Sequence, residues 1–178
     1  MVYVTLVDGF EDIEAIEPVD IMRRAGIDVK TVGVMGKTAT SSHNVTVQAD
    51  ILIDEINKEY MEMLVLPGGP GHTNLDESDK VQNLISYALE KDIYIAAICA
   101  SPSILGKRGI LDGKNYTCFP GFEEYAQNGI PTGEKATLDG KILTGKGAGA
   151  ASDFGFVMVE ILKGKDVADK LKKEMQYI

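Results

Sequence analysis

The stretch Ile93-Tyr94-Ile95-Ala96-Ala97-Ile98-Cys99-Ala100-Ser101-Pro102-Ser103 decides the fold. Its first half is a continuous apolar run, the kind that is buried on both faces in the centre of a parallel sheet. Its second half starts a helix, because Ser101 is a capping residue type and Pro102 suits the first turn. Strand passes straight into helix, and a cysteine stands at the corner. Ala97, Ala100 and Ser101 keep that corner small, as a sharp turn requires. Such a corner is a nucleophile elbow, which thrusts one side chain out at the carboxyl end of the sheet. The competing explanation is an inert cysteine in a buried strand, and position alone does not separate the two. In the elbow reading, the amides and dipole of the helix start favour the thiolate and lower the expected pKa of Cys99.

Working outward, residues 2–7 read as a first strand. Residues 12–25 read as a helix, with Ile13, Ile16, Val19 and Met22 spaced by three and Gly26 as the stop. A second strand covers 28–34, and the β-branched segment 38–49 is a hairpin-like excursion. Residues 61–66 form a buried strand that ends in Pro67-Gly68-Gly69-Pro70-Gly71. A helix follows over 79–91, with Val81, Leu84, Ile85, Ala88 and Leu89 on one face. After the elbow strand, a helix covers 101–108, a strand-like piece 115–119 and a short helix 123–127. Segments 135–138 and 141–144 flank the hairpin signal Asp139-Gly140. Helices at 150–162 and 167–173 close the pattern. Strands alternate with helices, which predicts an α/β three-layer sandwich around a mostly parallel sheet. At 178 residues, and with no repeat or linker, this is one domain spanning 1–178.

Composition removes several function classes. Net charge is −9, so no excess of Lys and Arg is available to neutralise nucleic-acid phosphates or anionic lipid. No apolar run approaches the ~20 residues of a membrane span. Cys99 and Cys118 are the only cysteines, too few for a secreted disulfide framework. The first residues lack the basic flank of a signal peptide, so a cytoplasmic setting is expected. Gly145-Lys146-Gly147-Ala148-Gly149-Ala150 imitates a dinucleotide loop but lies late in the chain with only helix after it, so a tight strand-to-helix turn is expected. His43 and His72 stand without a ladder of neighbouring ligand residues. Solvated loop roles are expected for both, and no metal site.

Two further features gather round Cys99. Gly68 and Gly69 end the neighbouring strand, and their amides can approach whatever binds at the elbow because no side chain blocks them. With the amide of Ala100 they would form an oxyanion hole. The acids Glu11, Asp12, Glu14 and Glu17 follow strand one, whose carboxyl end reaches the same sheet edge. A carboxyl close to a thiolate would be held protonated by like charge and burial and could donate a hydrogen bond to sulfur. Helix N-terminal charge is the simpler role for Glu11 and Asp12. Pro18 removes the helical donor of the Glu14 carbonyl, so irregular backbone is expected there.

The segments Gly9-Phe10-Glu11-Asp12-Ile13-Glu14, Pro18 to Gly26, Leu64-Val65-Leu66-Pro67-Gly68-Gly69 and Ala96-Ala97-Ile98-Cys99-Ala100 resemble the DJ-1/ThiJ/PfpI superfamily, and within it the DJ-1/ThiJ branch. The resemblance covers nearly the whole chain and implies a flavodoxin-like fold. It implies a reactive cysteine, Cys99, paired with a protonated glutamate, Glu14, and oxyanion-binding amides at Gly69 and Ala100. Ala100 stands where the protease branch has histidine, so peptidase activity is not implied. No histidine lies beyond His72, so the triad of glutamine amidotransferases is absent. Phe119 occupies a place where many eukaryotic DJ-1 proteins carry histidine and some bacterial relatives do not. Arg24 matches an arginine near the family's dimer contact, and His43 and Lys146 stand where relatives carry further arginines.

The leading expectation is a cofactor-independent enzyme of glyoxalase or deglycase type, in which Cys99 adds to a small dicarbonyl or a glycated adduct. The rival is a non-enzymatic oxidative-stress sensor or redox-regulated chaperone using the same thiol. A third reading, a role in thiazole phosphate (thiamine) biosynthesis, follows from the family label and finds no phosphate-binding motif here. The resemblance also implies a homodimer.

Overall fold

The computed structural model describes residues 1–177. Strands β1 (Val2–Leu6), β2 (Val29–Gly33), β3 (Thr38–Thr40), β4 (Thr46–Gln48) and β5 (Ile51–Leu52) interleave with helix α1 (Asp12–Arg24). Strands β6 (Met63–Leu66) and β7 (Tyr94–Ile98) are separated by helices α2 (His72–Asp76) and α3 (Asp79–Glu90). Then come α4 (Pro102–Lys107), β8 (Asn115–Tyr116), β9 (Ile130–Pro131), β10 (Ala136–Asp139), β11 (Ile142–Gly145), α5 (Ala151–Lys163) and α6 (Lys165–Glu174). The main sheet has the order β10-β11-β7-β6-β1-β2-β5, parallel except for β10. This is the α/β sandwich around a mostly parallel sheet that the alternation predicts, and the flavodoxin-like fold that the resemblance implies.

Strand periodicity builds two cores. On one face Tyr3, Leu64, Leu66, Ile95 and Ala97 meet α3 and α4 through Leu84, Ile85, Ile104 and Leu105. On the other, Val2, Val4, Met63, Val65, Ala96 and Ile98 meet α1, α5 and α6 through Ile21, Met22, Phe154, Met158 and Leu171. Alternate residues of one strand therefore serve opposite layers, which is why β1, β6 and β7 carry no polar face. The connections from β1 and β6 run in opposite directions along the sheet, so a switch point lies between them. Crevices at switch points open at the carboxyl ends of the strands.

Several local expectations need correction. Strand character over 115–119 shrinks to Asn115–Tyr116, which pairs with β9 outside the main sheet. The helix at 123–127 is a 3-10 turn, Phe122–Tyr125. Helix α1 continues through Pro18 without a break. It tolerates the lost hydrogen bond because Pro18 and Val19 are buried against α5, and packing outweighs one missing donor. Ser101 does not cap α4. Its hydroxyl instead donates to the Pro67 carbonyl at 2.6 Å, tying the elbow to the glycine turn. Residues 145–150 do form a strand-to-helix turn, with a 3-10 segment at Ala148–Ala150.

Candidate active site

Cys99 has φ +64°, one of four non-glycine residues with positive φ among those described. This left-handed corner costs roughly 1–3 kcal/mol and persists only where its surroundings enforce it. The enforcement is visible. The Cys99 amide still donates to Gly145 of β11 at 2.9 Å, and the Ser101 amide returns to Ile98 at 3.1 Å. The strand thus ends and the chain reverses across a single residue, as an elbow requires.

Glu14 comes to this corner from the first turn of α1. Glu11 caps that helix by accepting from the Glu14 amide at 2.8 Å, which confirms its helix-start role and orients the turn. The Glu14 side chain is only 1% exposed, and its Oε2 accepts from the Gly68 amide at 3.0 Å. Gly68 is the keystone. A Cβ there would lie 2.5 Å from both the Cys99 Cβ and Glu14 Oε2, so only glycine lets thiol and carboxyl face each other. Gly69, at φ +86°, passes so close to Gly9 and Glu11 that a Cβ would sit 2.6 Å from their backbones. The Glu11 amide donates to the Gly68 carbonyl at 3.0 Å. That bond polarises the peptide whose other end, the Gly69 N–H, faces the sulfur together with the Ala100 N–H.

The electrostatics differ from the sequence expectation. Burial, aided by the charge of Glu11, pushes Glu14 up to about 7, against the Cys99 and Gly68 hydrogen bonds. The Cys99 thiol is not lowered. Burial first, and Glu14 second, push it up to about 12, against the amides of Gly69 and Ala100. The helix start cannot outweigh these because α4 has only 6 residues and the sulfur is half-buried. Interacting groups titrate as a unit. The dyad takes its first negative charge near 7 and refuses a second until about 12. Near pH 7 it therefore exchanges between an uncharged form and a singly charged one, whose remaining proton lies between carboxyl and sulfur.

Other candidates fall in different places. The Phe119 amide donates to the Cys99 carbonyl at 2.8 Å, and its ring, 48% exposed, walls the site beside Gly147. Arg24 does not reach the dyad. It ends α1 and pairs with Asp20 at 2.7 Å. The exposed His43 does have acids close by, since its Nδ1 lies 2.8 Å from Asp12. Glu11, Asp12 and His43 present ligand-type atoms within 4.8 Å of one another. Each has a protein partner already: Glu11 the Glu14 amide, Asp12 the Ser41 hydroxyl, and His43 Asp12 itself. Lys146 donates to the Gly133 carbonyl at 3.1 Å. His72 is not a free loop residue. Its Nδ1 is 3.0 Å from the Gly69 carbonyl, and its ring meets Phe122 edge-on at 5.3 Å. Nothing local marked His72 in the sequence, because its partner is a backbone atom of a strained turn. Cys118 is buried, its thiol also pushed up to about 12 by burial and then by Glu123. No helix among the described residues is long and apolar enough to cross a membrane.

The model of the DJ-1/PfpI family matches residues 1–161. The chain is 33% identical to protein dj-1beta of Drosophila melanogaster over 174 residues, 96% of this chain and 93% of that one. The crystal structure of a DJ-1 superfamily protein from Salmonella typhimurium superposes with a TM-score of 0.93 at 30% identity, covering 99% and 98% of the two chains. Two relatives have names that state activities. A glutathione-independent glyoxalase of Caenorhabditis elegans is 25% identical, covering 93% of this chain and 89% of its own. A deglycase of Pyrococcus abyssi is 30% identical over 117 residues, 66% of this chain and 70% of its own.

Proposed function

The chain belongs to the DJ-1/PfpI family, and from that premise we propose that it is a cofactor-independent glyoxalase acting on small 2-oxoaldehydes, with glycated adducts of the same dicarbonyls as the alternative substrate. The Glu14–Cys99 dyad under the amides of Gly69 and Ala100 carries this reading. In its singly charged form, which grows in as pH rises through about 7, the dyad has one charge to attack with and one proton to give. Sulfur adds to the aldehyde carbon, and the carbonyl electron pair moves onto oxygen. The amides of Gly69 and Ala100 hold that oxyanion. The proton on Glu14 then neutralises it, leaving a hemithioacetal and a carboxylate.

Glu14 next removes the former aldehyde hydrogen as a proton and returns it to the neighbouring carbon, while the hemithioacetal hydroxyl gives up its proton to the former ketone oxygen. A base with its pKa near the working pH is best suited to such a shuttle. The product is a thioester of a 2-hydroxy acid. Water hydrolyses it and restores Cys99. The sum is oxoaldehyde plus water giving hydroxy acid, with no outside oxidant. The test is formation of lactate from methylglyoxal by the purified protein and by Cys99→Ala. Equal rates in the two would reject the reading.

The same amide pair supports a second reading. An anion nest over sulfur would also hold the oxygens of a sulfinate, as a redox sensor requires. Rapid peroxide oxidation of Cys99 without any turnover of methylglyoxal would favour it.

A further inference from the structure

The two amides that face the Cys99 sulfur stand on different loops. The Ala100 N–H belongs to the elbow, and the Gly69 N–H to the turn after β6. They must keep one spacing to hold one oxygen. The Ser101 hydroxyl on the Pro67 carbonyl ties the loops together at 2.6 Å, and the Glu11 amide on the Gly68 carbonyl anchors the turn from upstream. Downstream, Gly69 has little of its own to fix it. It has no side chain, it sits at φ +86°, and the next residue, Pro70, has no N–H to give.

His72 supplies the missing anchor. Its amide and its Nδ1 both reach the Gly69 carbonyl, at 3.1 Å and 3.0 Å. A carbonyl oxygen only accepts, so Nδ1 carries the hydrogen and the ring donates. The ring is held in turn by Phe122, which it meets edge-on at 5.3 Å and 83° between planes. Phe122 meets Phe119 at 6.4 Å, and the Phe119 amide donates to the Cys99 carbonyl at 2.8 Å. A circuit of contacts thus runs from Gly69 through His72, Phe122 and Phe119 to Cys99. It joins the two amide-bearing loops by a second route, independent of Ser101.

We propose that His72 is a positioning residue whose Nδ1–H, steadied by Phe122, holds the Gly69 carbonyl and so keeps the Gly69 amide aimed at the Cys99 sulfur. It acts through Gly69 and takes no part in the bond changes. On the glyoxalase reading given above, which this inference rests on and deepens, losing that hold weakens the grip on an oxyanion that exists only after addition. Such a loss lowers kcat and kcat/KM alike and leaves KM unchanged. Removing a whole oxyanion donor costs about 10²–10³-fold in kcat, and loosening one costs less, about tenfold.

Two substitutions separate the donor from the ring. His72→Asn puts an amide N–H in the place of Nδ1 and loses the ring, whereas His72→Phe keeps a ring against Phe122 and loses the donor. With methylglyoxal, kcat of His72→Phe should fall about tenfold at unchanged KM, and His72→Asn should recover most of it. A second readout needs no turnover. The Gly69 amide also favours the thiolate, so iodoacetamide alkylation of Cys99 should slow severalfold in His72→Phe and far less in His72→Asn. Melting curves check folding, and His72→Leu takes the place of a His72→Phe that does not fold. A histidine with a merely structural role would shift the melting temperature and leave both rates of the folded protein where they are. The third readout is on the wild type, where the imidazole nitrogen shifts should show Nδ1 protonated in the neutral ring of His72. Protonation on Nε2 instead overturns the proposal. Wild-type rates in the folded donorless variant, or equal losses in it and in His72→Asn, overturn it as well. Slowed alkylation in the donorless variant alone, with no methylglyoxal turned over by the wild type, sustains the positioning role and rejects the glyoxalase reading.

Discussion

Glu14 and Cys99 face each other across the one point where Gly68 has no side chain, each 2.5 Å from where that Cβ would be. Gly68→Ala must therefore move the carboxyl, the thiol or the strand end. The Ile98 carbonyl, 2.8 Å from the same point, closes the remaining direction. Overpacking of this kind costs roughly 1–3 kcal/mol. We expect a lower melting temperature, and a Cys99 alkylation rate whose pH midpoint leaves the neighbourhood of 7. Unchanged alkylation against pH would show that the dyad is not what sets Cys99 reactivity.

Glu14 also makes stability depend on pH, with a sign opposite to that of a salt-bridged acid. Its folded pKa, about 7, lies above the ordinary 4.5. Between those values the folded state holds more protons than the unfolded one, so stability falls as pH rises through the window. The full effect is on the order of 3 kcal/mol. Glu14→Gln removes the titration, so its melting temperature should decline less than wild type between pH 5 and pH 8. The same variant should lose about 10²–10⁴-fold in dicarbonyl turnover, since glutamine donates a hydrogen bond but cannot return a proton. Parallel melting curves for the two proteins across that window would place the titrating group elsewhere.

The two thiols should differ in reactivity although both are pushed up to about 12. Cys99 is half-buried with a carboxyl at hand to take its proton. Cys118 is 5% exposed, and the acid nearest it, Glu123, is committed to the Gly121 amide at 2.7 Å. Iodoacetamide at neutral pH should modify Cys99 first. Peptide mapping that finds Cys118 modified ahead of it would reject the assignment.

What could be read beforehand was whatever a local pattern encodes. The apolar run into Cys99, the small residues after it and the glycines at 68–69 each carry their role in their own chemistry. The elbow and its partners follow from them. The short pieces do not. Strand β5, helix α2 and the loop through Phe119 owe their form to distant hydrogen bonds, such as the Phe119 amide on the Cys99 carbonyl. His72 departs from the solvated loop role its sequence suggests for the same reason. The Cys99 shift runs opposite to the sequence expectation because helix-start amides can be read from sequence, whereas burial of sulfur beside a carboxyl depends on packing between β1, β6 and β7.

Helix α1 presents Ile13 and Ile16 to solvent, 48% and 39% exposed, on the turns that carry the Glu14 end of the site. Apolar residues in adjacent turns of a charged helix fit a second copy of the chain. A homodimer is expected by light scattering at micromolar concentration, and Ile13→Glu should shift it toward monomer. A monomeric wild type would reject the expectation.

Phe119→His tests whether the site lacks a second acid–base group. The position abuts the dyad through its backbone and through Gly147, so an imidazole there would add a second titratable group where the wild type has a hydrocarbon wall. On the proposed mechanism Glu14 alone both takes and returns protons, and a positioned acid–base residue is worth about 10²–10⁴-fold. The absence of that help should make the natural protein a slow catalyst. The variant should turn over methylglyoxal faster, and its kcat/KM should acquire a second ionisation near the usual histidine value, about 6.5. Folding is not at risk, because the Phe119 side chain is 48% exposed. If turnover stays at the wild-type level and the pH profile keeps a single limb, the wall is passive and Glu14 sets the rate by itself.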